Sequence, residues 1–141
     1  IGTRGFSPYT RAGLYDFNNG QKLPAEANKN TLLIANVEGI EGLKNLEEIS
    51  QVNGIDVIFL GLFDLSKSLG IPGDVHSHLV VQKLEEAVKT VHSSGKKIGT
   101  IASDLNSLSY FRTLGIDYLT FSVDTGILKN AYRSIVESFR T

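Results

Sequence analysis

Two acidic residues occupy equivalent places in the sequence, each at the end of a short apolar run. Glu38 ends the segment LLIANVE, and Asp64 ends the segment VIFLGLFD, three residues after Gly61. Apolar runs of this length are typical of buried strands. In parallel α/β proteins, polar residues just past the carboxyl ends of the strands are where sites are built. This pair is therefore the first candidate for chemistry.

The chemistry that this pair suggests is metal binding. Neighbouring parallel strands lie about 4.8 Å apart, so acids at their carboxyl ends can share one divalent cation at about 2.0 to 2.2 Å per oxygen. Glu38 and Asp64 meet this requirement if their strands are neighbours. The alternative is that Asp64 is a helix N-cap and Glu38 a solvated acid at a strand end. The spacing alone leaves both interpretations open.

Other residues of catalytic type are less informative. His92 falls on a helical pattern and is predicted to be a solvated surface residue, while His76 and His78 flank a predicted helix start, where a capping or loop role is expected. No catalytic base is assigned to any of the three. Arg4 and Arg11 could hold a carboxylate or phosphate, although surface arginines are commoner than anion clamps.

Four apolar runs with little polar alternation predict strands covered on both faces. The predicted strands are Leu32–Val37, Val57–Leu60, Ile98–Ala102 and Tyr118–Val123. Apolar residues three or four positions apart predict an amphipathic helix after each strand. Their apolar positions fall within Ile40–Ile49, Val80–Val91, Leu105–Phe111 and Ile127–Phe139, and one further helical turn is predicted around Ala25–Asn28.

The predicted helix ends carry suitable residues. Gly95 and Gly115 are plausible C-caps, and Asp104 and Asp124 are plausible N-caps. The segment after Asp64, which is closed by Pro72 and Gly73, is predicted to be turn-rich, and the Lys96-Lys97 pair is typical of a solvated turn. The pattern is thus β-α four times over, which fits either half of an eight-fold barrel or a small open sheet.

Composition excludes several classes of function. The chain has 141 residues, the size of one domain, with 14 basic and 15 acidic residues and no block of one sign that would hold nucleic acid or an anionic membrane. The lack of cysteine excludes disulfides and thiolate zinc sites, and fits a cytoplasmic protein. No run of about 18 apolar residues would span a bilayer. Because the chain has no methionine, it is expected to be processed or cut from a longer one.

Several segments together resemble a known family. The segments GTRGFSPYTRAG, VEGIEGLKNLEEI, GIDVIFLGLFDLSKSLGIPGD and FSVDTGIL, in this order, are similar to the metal-dependent (class II) 2-oxo acid aldolases typified by 4-hydroxy-2-oxoheptanedioate aldolase. This family belongs to the phosphoenolpyruvate/pyruvate superfamily, and citrate lyase is a relative. The resemblance implies that residues 1–141 are one partial domain, the carboxyl-terminal half (strands five to eight) of a (β/α)8 TIM-type barrel.

The resemblance also implies site residues and a reaction. Glu38 and Asp64 match the two metal ligands, and Gly61, Leu62 and Phe63 match the loop whose backbone lies against pyruvate. The implied cofactor is a divalent metal, Mg²⁺, Mn²⁺ or Co²⁺. The implied reaction cleaves a 4-hydroxy-2-oxo acid to pyruvate and an aldehyde, with the metal as the Lewis acid that stabilises the enolate.

The resemblance also implies that some catalytic residues of the family are absent from this chain. The family's His and Asp base pair and its carboxylate-binding Arg lie on earlier strands, so this chain alone is expected to be inactive. Its expected partners are the small 2-oxo acid and aldehyde, and either further copies in a homo-oligomer or a missing amino-terminal half.

Three residues depart from the family pattern. Members usually have Thr where this chain has Gly39, Pro where it has Leu62, and Gly where it has Ser122. Since these positions lie near the family's pocket, the departures bear on substrate preference.

Two alternatives come from other classes. One is a non-catalytic α/β half-barrel or interaction module, although a receiver-like domain would need a Lys after its last strand, and Lys97 instead begins one. The other is a citrate lyase-like carbon–carbon lyase.

Overall fold

A computed structural model describes residues 5, 7–13, 15 and 20–140 of the chain. The chain divides into two compact units, Ile1–Leu32 and Leu33–Thr141. Each unit is described by itself.

The described residues of the first unit form turns and one helix, α1 (Leu23–Asn30). Pro24 lies in its first turn, where the missing N–H of proline costs no helical hydrogen bond. The helical turn predicted around Ala25–Asn28 is confirmed and extends further in both directions.

The second unit is built on a parallel sheet in the order β1-β2-β3-β4. Its strands are β1 (Ile34–Val37), β2 (Val57–Leu60), β3 (Lys97–Ala102) and β4 (Tyr118–Phe121). All pairs are parallel, which confirms the predicted parallel α/β class. The predicted β1 began two residues too early and the predicted β4 ended two residues too late.

Between residues 33 and 140, six helices connect and follow the strands. They are α2 (Ile40–Lys44), α3 (Leu46–Gln51), α4 (Leu62–Ser68), α5 (His78–Ser93), α6 (Leu105–Thr113) and α7 (Asp124–Ser138). The single helix predicted across Ile40–Ile49 is broken at Asn45, which lies between α2 and α3 with non-helical ψ of 11°. The prediction of a turn-rich segment after Asp64 was wrong as well, because α4 occupies its first part. This helix has only seven residues, too few to show a clear helical period.

The predicted helix caps are confirmed at three of four positions. Gly95 and Gly115 follow α5 and α6 with φ of 75° and 87°, a conformation that favours glycine. Asp104 caps α6, because its Oδ1 accepts from the backbone N–H of Ser107 at 2.8 Å while its own N–H donates to Ser107 Oγ at 3.2 Å. The prediction for Asp124 was wrong, since Val123 is the N-cap of α7 and Asp124 is the first residue of the helix.

The hydrophobic core lies on one face of the sheet. Ile58, Leu60 and Ile98 are fully buried there, and α5 contributes Val80, Leu84 and Val91 to the same core cluster. Complete burial was expected for every strand, and this was wrong for the outer two. Ile34 of β1 and Phe121 of β4 are exposed, and both lie on edge strands.

A row of four residues crosses the other face of the sheet in register: Asn36, Phe59, Gly99 and Tyr118. The rings of Phe59 and Tyr118 meet edge to face with centroids 6.3 Å apart. A Cβ on Gly99 would lie 3.0 Å from Phe59 Cδ2 and from Tyr118 Cδ1. Glycine on β3 therefore makes room for the two rings on either side.

The last helix, α7, buries none of its residues. Its apolar side chains are exposed: Ile127, Leu128, Tyr132, Ile135, Val136 and Phe139. Across the part of the chain that the structure describes, no helix is both long and apolar enough to cross a membrane.

Candidate active site

The carboxyl edge of the sheet places Glu38 beside Gly61. Glu38 directly follows β1, and Gly61 directly follows its neighbour β2. The backbone N–H of Gly61 donates to the carbonyl of Val37 at 3.0 Å, which continues the parallel pairing by one residue. The metal-site hypothesis required the strands before Glu38 and Asp64 to be neighbours, and β1 and β2 are neighbours.

Glu38 lies directly against Gly61. A Cβ built on Gly61 would stand 2.9 Å from Glu38 Cγ and 3.5 Å from Glu38 Cδ. The φ of Gly61 is −83°, which any residue can adopt, so the backbone alone does not require glycine here. Glycine leaves the space that the Glu38 side chain fills, and a larger residue here would displace that side chain.

Asn36 orients the Glu38 carboxylate. Its side-chain Nδ2 donates to Glu38 Oε1. The two residues are two positions apart along the strand direction, and side chains at that spacing project from the same face of a sheet. Sequence reasoning missed Asn36, although this period of two was a usable signal. Hydrogen bonds of this kind leave the second carboxylate oxygen available to a cation.

Asp64 is the third residue of α4, within its first turn, and is exposed. The N-cap of α4 is Gly61, so the alternative that Asp64 itself is an N-cap is wrong. No hydrogen bond or ion pair of the Asp64 side chain occurs among the described residues. A carboxylate in this position is accessible to a cation in solvent, and the first turn of a helix is a favourable place for negative charge.

The donor set fits a hard cation that keeps part of its water shell. Mg²⁺ is commonly bound through one or two carboxylates, with water or substrate filling the remaining positions. Glu38 and Asp64 supply two carboxylates, and Gly61 leaves room for the first. Within the described ranges, no three or more His, Cys, Asp or Glu side chains form a cluster able to hold a metal. Two carboxylates would suit a partly hydrated cation rather than a closed cage of the structural zinc type.

The three residues predicted to line pyruvate differ in exposure. Leu62 is buried in the core and Phe63 is exposed, while Gly61 is intermediate. Leu62 therefore packs in the core, and Phe63 carries the exposed side chain of this segment.

The backbone explains how two of the three residues that differ from the family pattern are accommodated. Gly39 is the N-cap of α2, and a Cβ there would have no heavy atom within 4 Å, so the site has room for the family's Thr. Ser122 has φ of 51°, a left-handed conformation in which the family's usual Gly is less strained.

The histidines lie in different places. His78 begins α5 next to its N-cap Ser77, as predicted. His76 is exposed, and it lines a cavity near Phe63. His92 lies on the exposed surface of α5, as predicted, and its Nε2 lies 2.8 Å from Asp117 Oδ2.

Asp117 is the centre of a polar cluster at the opposite, amino edge of the sheet. Lys97 Nζ lies 2.8 Å from Asp117 Oδ1, and the backbone N–H of Ile98 donates to Oδ2 at 3.1 Å. Partial burial raises the pKa of Asp117, but the hydrogen bonds from Lys97, His92 and Ile98 outweigh it and lower the pKa to about 2. Lys96 Nζ donates to the carbonyl of Ile55 at 2.8 Å, so the Lys96-Lys97 pair is not the solvated turn that was predicted.

The remaining predicted site residues lie in the first unit. Arg4 lies outside the described residues. Arg11 is exposed and makes no hydrogen bond or ion pair with another described residue. The proposed anion-binding role of these arginines stays a prediction.

Comparisons with known proteins place this arrangement in one family. The HpcH/HpaI aldolase/citrate lyase family matches residues 2–131. A hydroxypyruvate/pyruvate aldolase of Deinococcus radiodurans is 36% identical over 114 residues, which cover 81% of this chain and 41% of that protein. A 2-keto-3-deoxy-L-rhamnonate aldolase of Klebsiella pneumoniae is 32% identical over 117 residues, which cover 83% of this chain and 44% of that protein.

A solved structure supports the same fold. The crystal structure of an HpcH/HpaI aldolase/citrate lyase family protein from Burkholderia cenocepacia superposes with a TM-score of 0.87 at 27% identity, covering 99% of this chain and 54% of that one. The chain thus spans about half the length of these relatives, and the predicted fold class of half a TIM-type barrel is confirmed. The family inferred from the sequence is confirmed as well: this chain belongs to the HpcH/HpaI aldolase/citrate lyase family.

Proposed function

We propose that the protein containing this chain is a metal-dependent aldolase that cleaves a 4-hydroxy-2-oxo acid to pyruvate and an aldehyde. The observation that carries the proposal is the contact between Glu38 and Gly61 at the carboxyl edge of the sheet, in a chain of an aldolase and lyase family. Names of two relatives, a hydroxypyruvate/pyruvate aldolase and a 2-keto-3-deoxy-L-rhamnonate aldolase, support carbon–carbon cleavage of 2-oxo acids.

In this proposal Glu38 and Asp64 hold one divalent cation, Mg²⁺, Mn²⁺ or Co²⁺. A bound divalent cation supplies Lewis-acid stabilisation of the negative charge that develops on the substrate as the C3–C4 bond breaks. Asn36 fixes the Glu38 carboxylate, and Gly61 leaves space for it. The backbone of Gly61, Leu62 and Phe63 lines the 2-oxo acid.

The proton acceptor of the reaction comes from outside this chain. Among the described residues, His92 is turned toward Asp117 at the opposite edge of the sheet. His78 begins α5, and His76 lies in the loop before it, where it lines a cavity near Phe63 and makes no hydrogen bond with another described residue. We therefore assign no catalytic base here.

The chain alone is proposed to be inactive and to need a complementary amino-terminal half-barrel, from the same gene or from a partner chain. The sheet ends at β1 on one side and at β4 on the other, and α7 exposes its apolar side chains. Exposed sheet edges and apolar faces favour association with another chain. General base catalysis is typically worth about 10² to 10⁴ in rate, so a chain without the base should be strongly impaired.

Pyruvate release from a 4-hydroxy-2-oxo acid, coupled to a reporter dehydrogenase, tests the proposal in the intact protein. We expect release with Mg²⁺ or Mn²⁺ present and loss of release after full chelation, with recovery when the metal is restored. Release that survives chelation would point to Schiff-base chemistry instead. The 141-residue chain, purified free of longer species, should release no pyruvate above buffer with metal. Turnover equal to that of the intact protein would contradict its inactivity.

A further inference from the structure

A cavity of about 200 Å³ opens at the same carboxyl edge of the sheet. Its walls include residues that follow three successive strands: Phe63 after β2, Ser103 after β3 and Val123 after β4. Ile101 lines it from β3. Register places Ile101 level with Gly61, one residue beyond the Leu60–Thr100 pair, and Gly61 is level with Glu38. Two strand spacings of about 4.8 Å put Ile101 about 10 Å from Glu38.

The cavity is apolar and carries no Asp, Glu, Lys or Arg among its described lining residues. Six lining side chains are apolar: Leu62, Phe63, Val75, Ile101, Phe111 and Val123. A carboxylate that enters such a space loses hydration without gaining a Lys or Arg partner, which is unfavourable. An apolar group gains free energy from the same transfer.

The polar lining residues leave few groups for a ligand. The hydroxyls of Ser103 and Ser107 are engaged with Asp104 in the cap of α6. The Ser122 hydroxyl and the exposed His76 ring make no hydrogen bond with another described residue. A ligand with an apolar body and at most one neutral polar group matches this lining. The volume equals that of about seven liquid water molecules, enough for a short carbon chain.

We propose that this cavity holds the uncharged, apolar chain of the aldehyde, so that the enzyme prefers aldehydes with a short alkyl chain over those that carry a second carboxylate. The inference rests on the proposed function, because it assumes that an aldehyde reacts next to Glu38 and Asp64.

The test compares two four-carbon aldehydes in the addition direction, with pyruvate and Mn²⁺ and with the intact protein. Butanal and succinic semialdehyde have the same carbon chain length and differ in the terminal carboxylate. We expect kcat/KM for butanal to exceed that for succinic semialdehyde about tenfold or more, because the cavity offers the carboxylate no Lys or Arg partner. Because both aldehydes react with the same enzyme and pyruvate, the ratio of their kcat/KM values does not depend on the steps that involve pyruvate alone.

The variant Val123→Lys places a cation at the cavity, at an exposed position where a long side chain is accommodated. In this variant the ratio of kcat/KM for butanal to that for succinic semialdehyde should fall about tenfold or more. Leu105→Lys is the matched control, because Leu105 is 70% exposed and does not line the cavity, and its ratio should equal that of the wild type. Val123→Leu is a second, apolar variant that narrows the cavity, and it should slow hexanal more than acetaldehyde.

A further experiment separates the proposed aldolase function from the cavity assignment. NMR monitors the exchange of the pyruvate C3 protons for deuterium by the wild type in the absence of aldehyde. No metal-dependent exchange overturns the proposed function, and this inference falls with it. If the wild type shows exchange, two results would overturn the cavity assignment alone. One is equal kcat/KM for butanal and succinic semialdehyde. The other is that Val123→Lys leaves the ratio of these two values unchanged and Val123→Leu leaves the preference between acetaldehyde and hexanal unchanged.

Discussion

Glu38 Cγ lies 2.9 Å from the point where a Cβ on residue 61 would stand, so the Glu38 side chain occupies the space beside Gly61. The two residues follow neighbouring parallel strands, and they meet because the strand pairing continues to Gly61. The position of the carboxylate thus depends on a glycine that has no unusual backbone angle.

Gly61→Ala should weaken metal binding. The new Cβ would overlap Glu38 Cγ, and the flexible Glu38 side chain would move rather than the backbone. We expect Mn²⁺ affinity, measured by calorimetry on the intact protein, to fall about tenfold. Gly39→Ala is the matched control, since Gly39 is also the N-cap of a short helix after a strand but has open space at the Cβ position. Equal affinities of both variants would show that Gly61 does not position Glu38.

Asn36→Ala should weaken Mn²⁺ binding without removing a ligand. The hydrogen bond from Asn36 Nδ2 to Glu38 Oε1 would be lost, and the carboxylate would sample other rotamers. Loss of such an outer-shell partner typically costs about 10- to 100-fold in metal affinity, and the exposure of Asn36 places the expected loss near the lower bound. Asn45→Ala is the control, because Asn45 makes no side-chain cap bond. An unchanged Mn²⁺ affinity in Asn36→Ala would show that Asn36 does not position the Glu38 carboxylate.

Much of the fold was predictable from the sequence because its signals are local. The apolar run Val57–Leu60 gave the bounds of β2, and the spacing within Val80–Val91 gave α5. The seven-residue helix α4 and the break at Asn45 were not predictable in this way, since each is shorter than the windows over which a helical period becomes visible.

The site was predictable only in part, because its main contacts join distant segments. The acids Glu38 and Asp64 were found from strand ends and from family resemblance. The requirement for Gly61 depends on register between β1 and β2, and the His92–Asp117 contact joins residues 25 positions apart. Neither relationship leaves a signature in the local sequence.

Asp117→Asn should destabilise the protein at neutral pH and much less in acid. The folded-state pKa of Asp117 is lowered to about 2 from the model-compound value of 3.8, so its contribution is complete above about pH 4 and is lost as the pH falls toward 2. Urea unfolding midpoints of wild type and variant should differ at pH 7 and at pH 5, and converge below about pH 4. Asp74→Asn, at an exposed position, is the control. A difference that stays constant down to pH 3 would contradict this account.

Ser122→Gly should stabilise the protein. A non-glycine residue in the left-handed region costs about 1 to 2 kcal/mol, while the extra backbone freedom of glycine in the unfolded state costs about 0.5 to 1 kcal/mol. The expected net gain in the free energy of unfolding is therefore about 0.5 to 1 kcal/mol, measured by urea titration. Ser94→Gly is the control, because Ser94 has φ of −86° and no strain to relieve, so it should be neutral or destabilising. Destabilisation by Ser122→Gly would mean that the φ of 51° is not strained.

Titration of Mn²⁺ into the intact protein tests most directly whether Glu38 and Asp64 form the metal site. Three variants accompany the wild type: Glu38→Ala, Asp64→Ala and, as a control, Glu47→Ala, which removes an exposed acid of α3 away from the strand ends. We expect one ion per chain in the wild type and in Glu47→Ala, and an affinity about tenfold or more weaker in each of the other two. Equal binding by all four proteins would contradict the metal site.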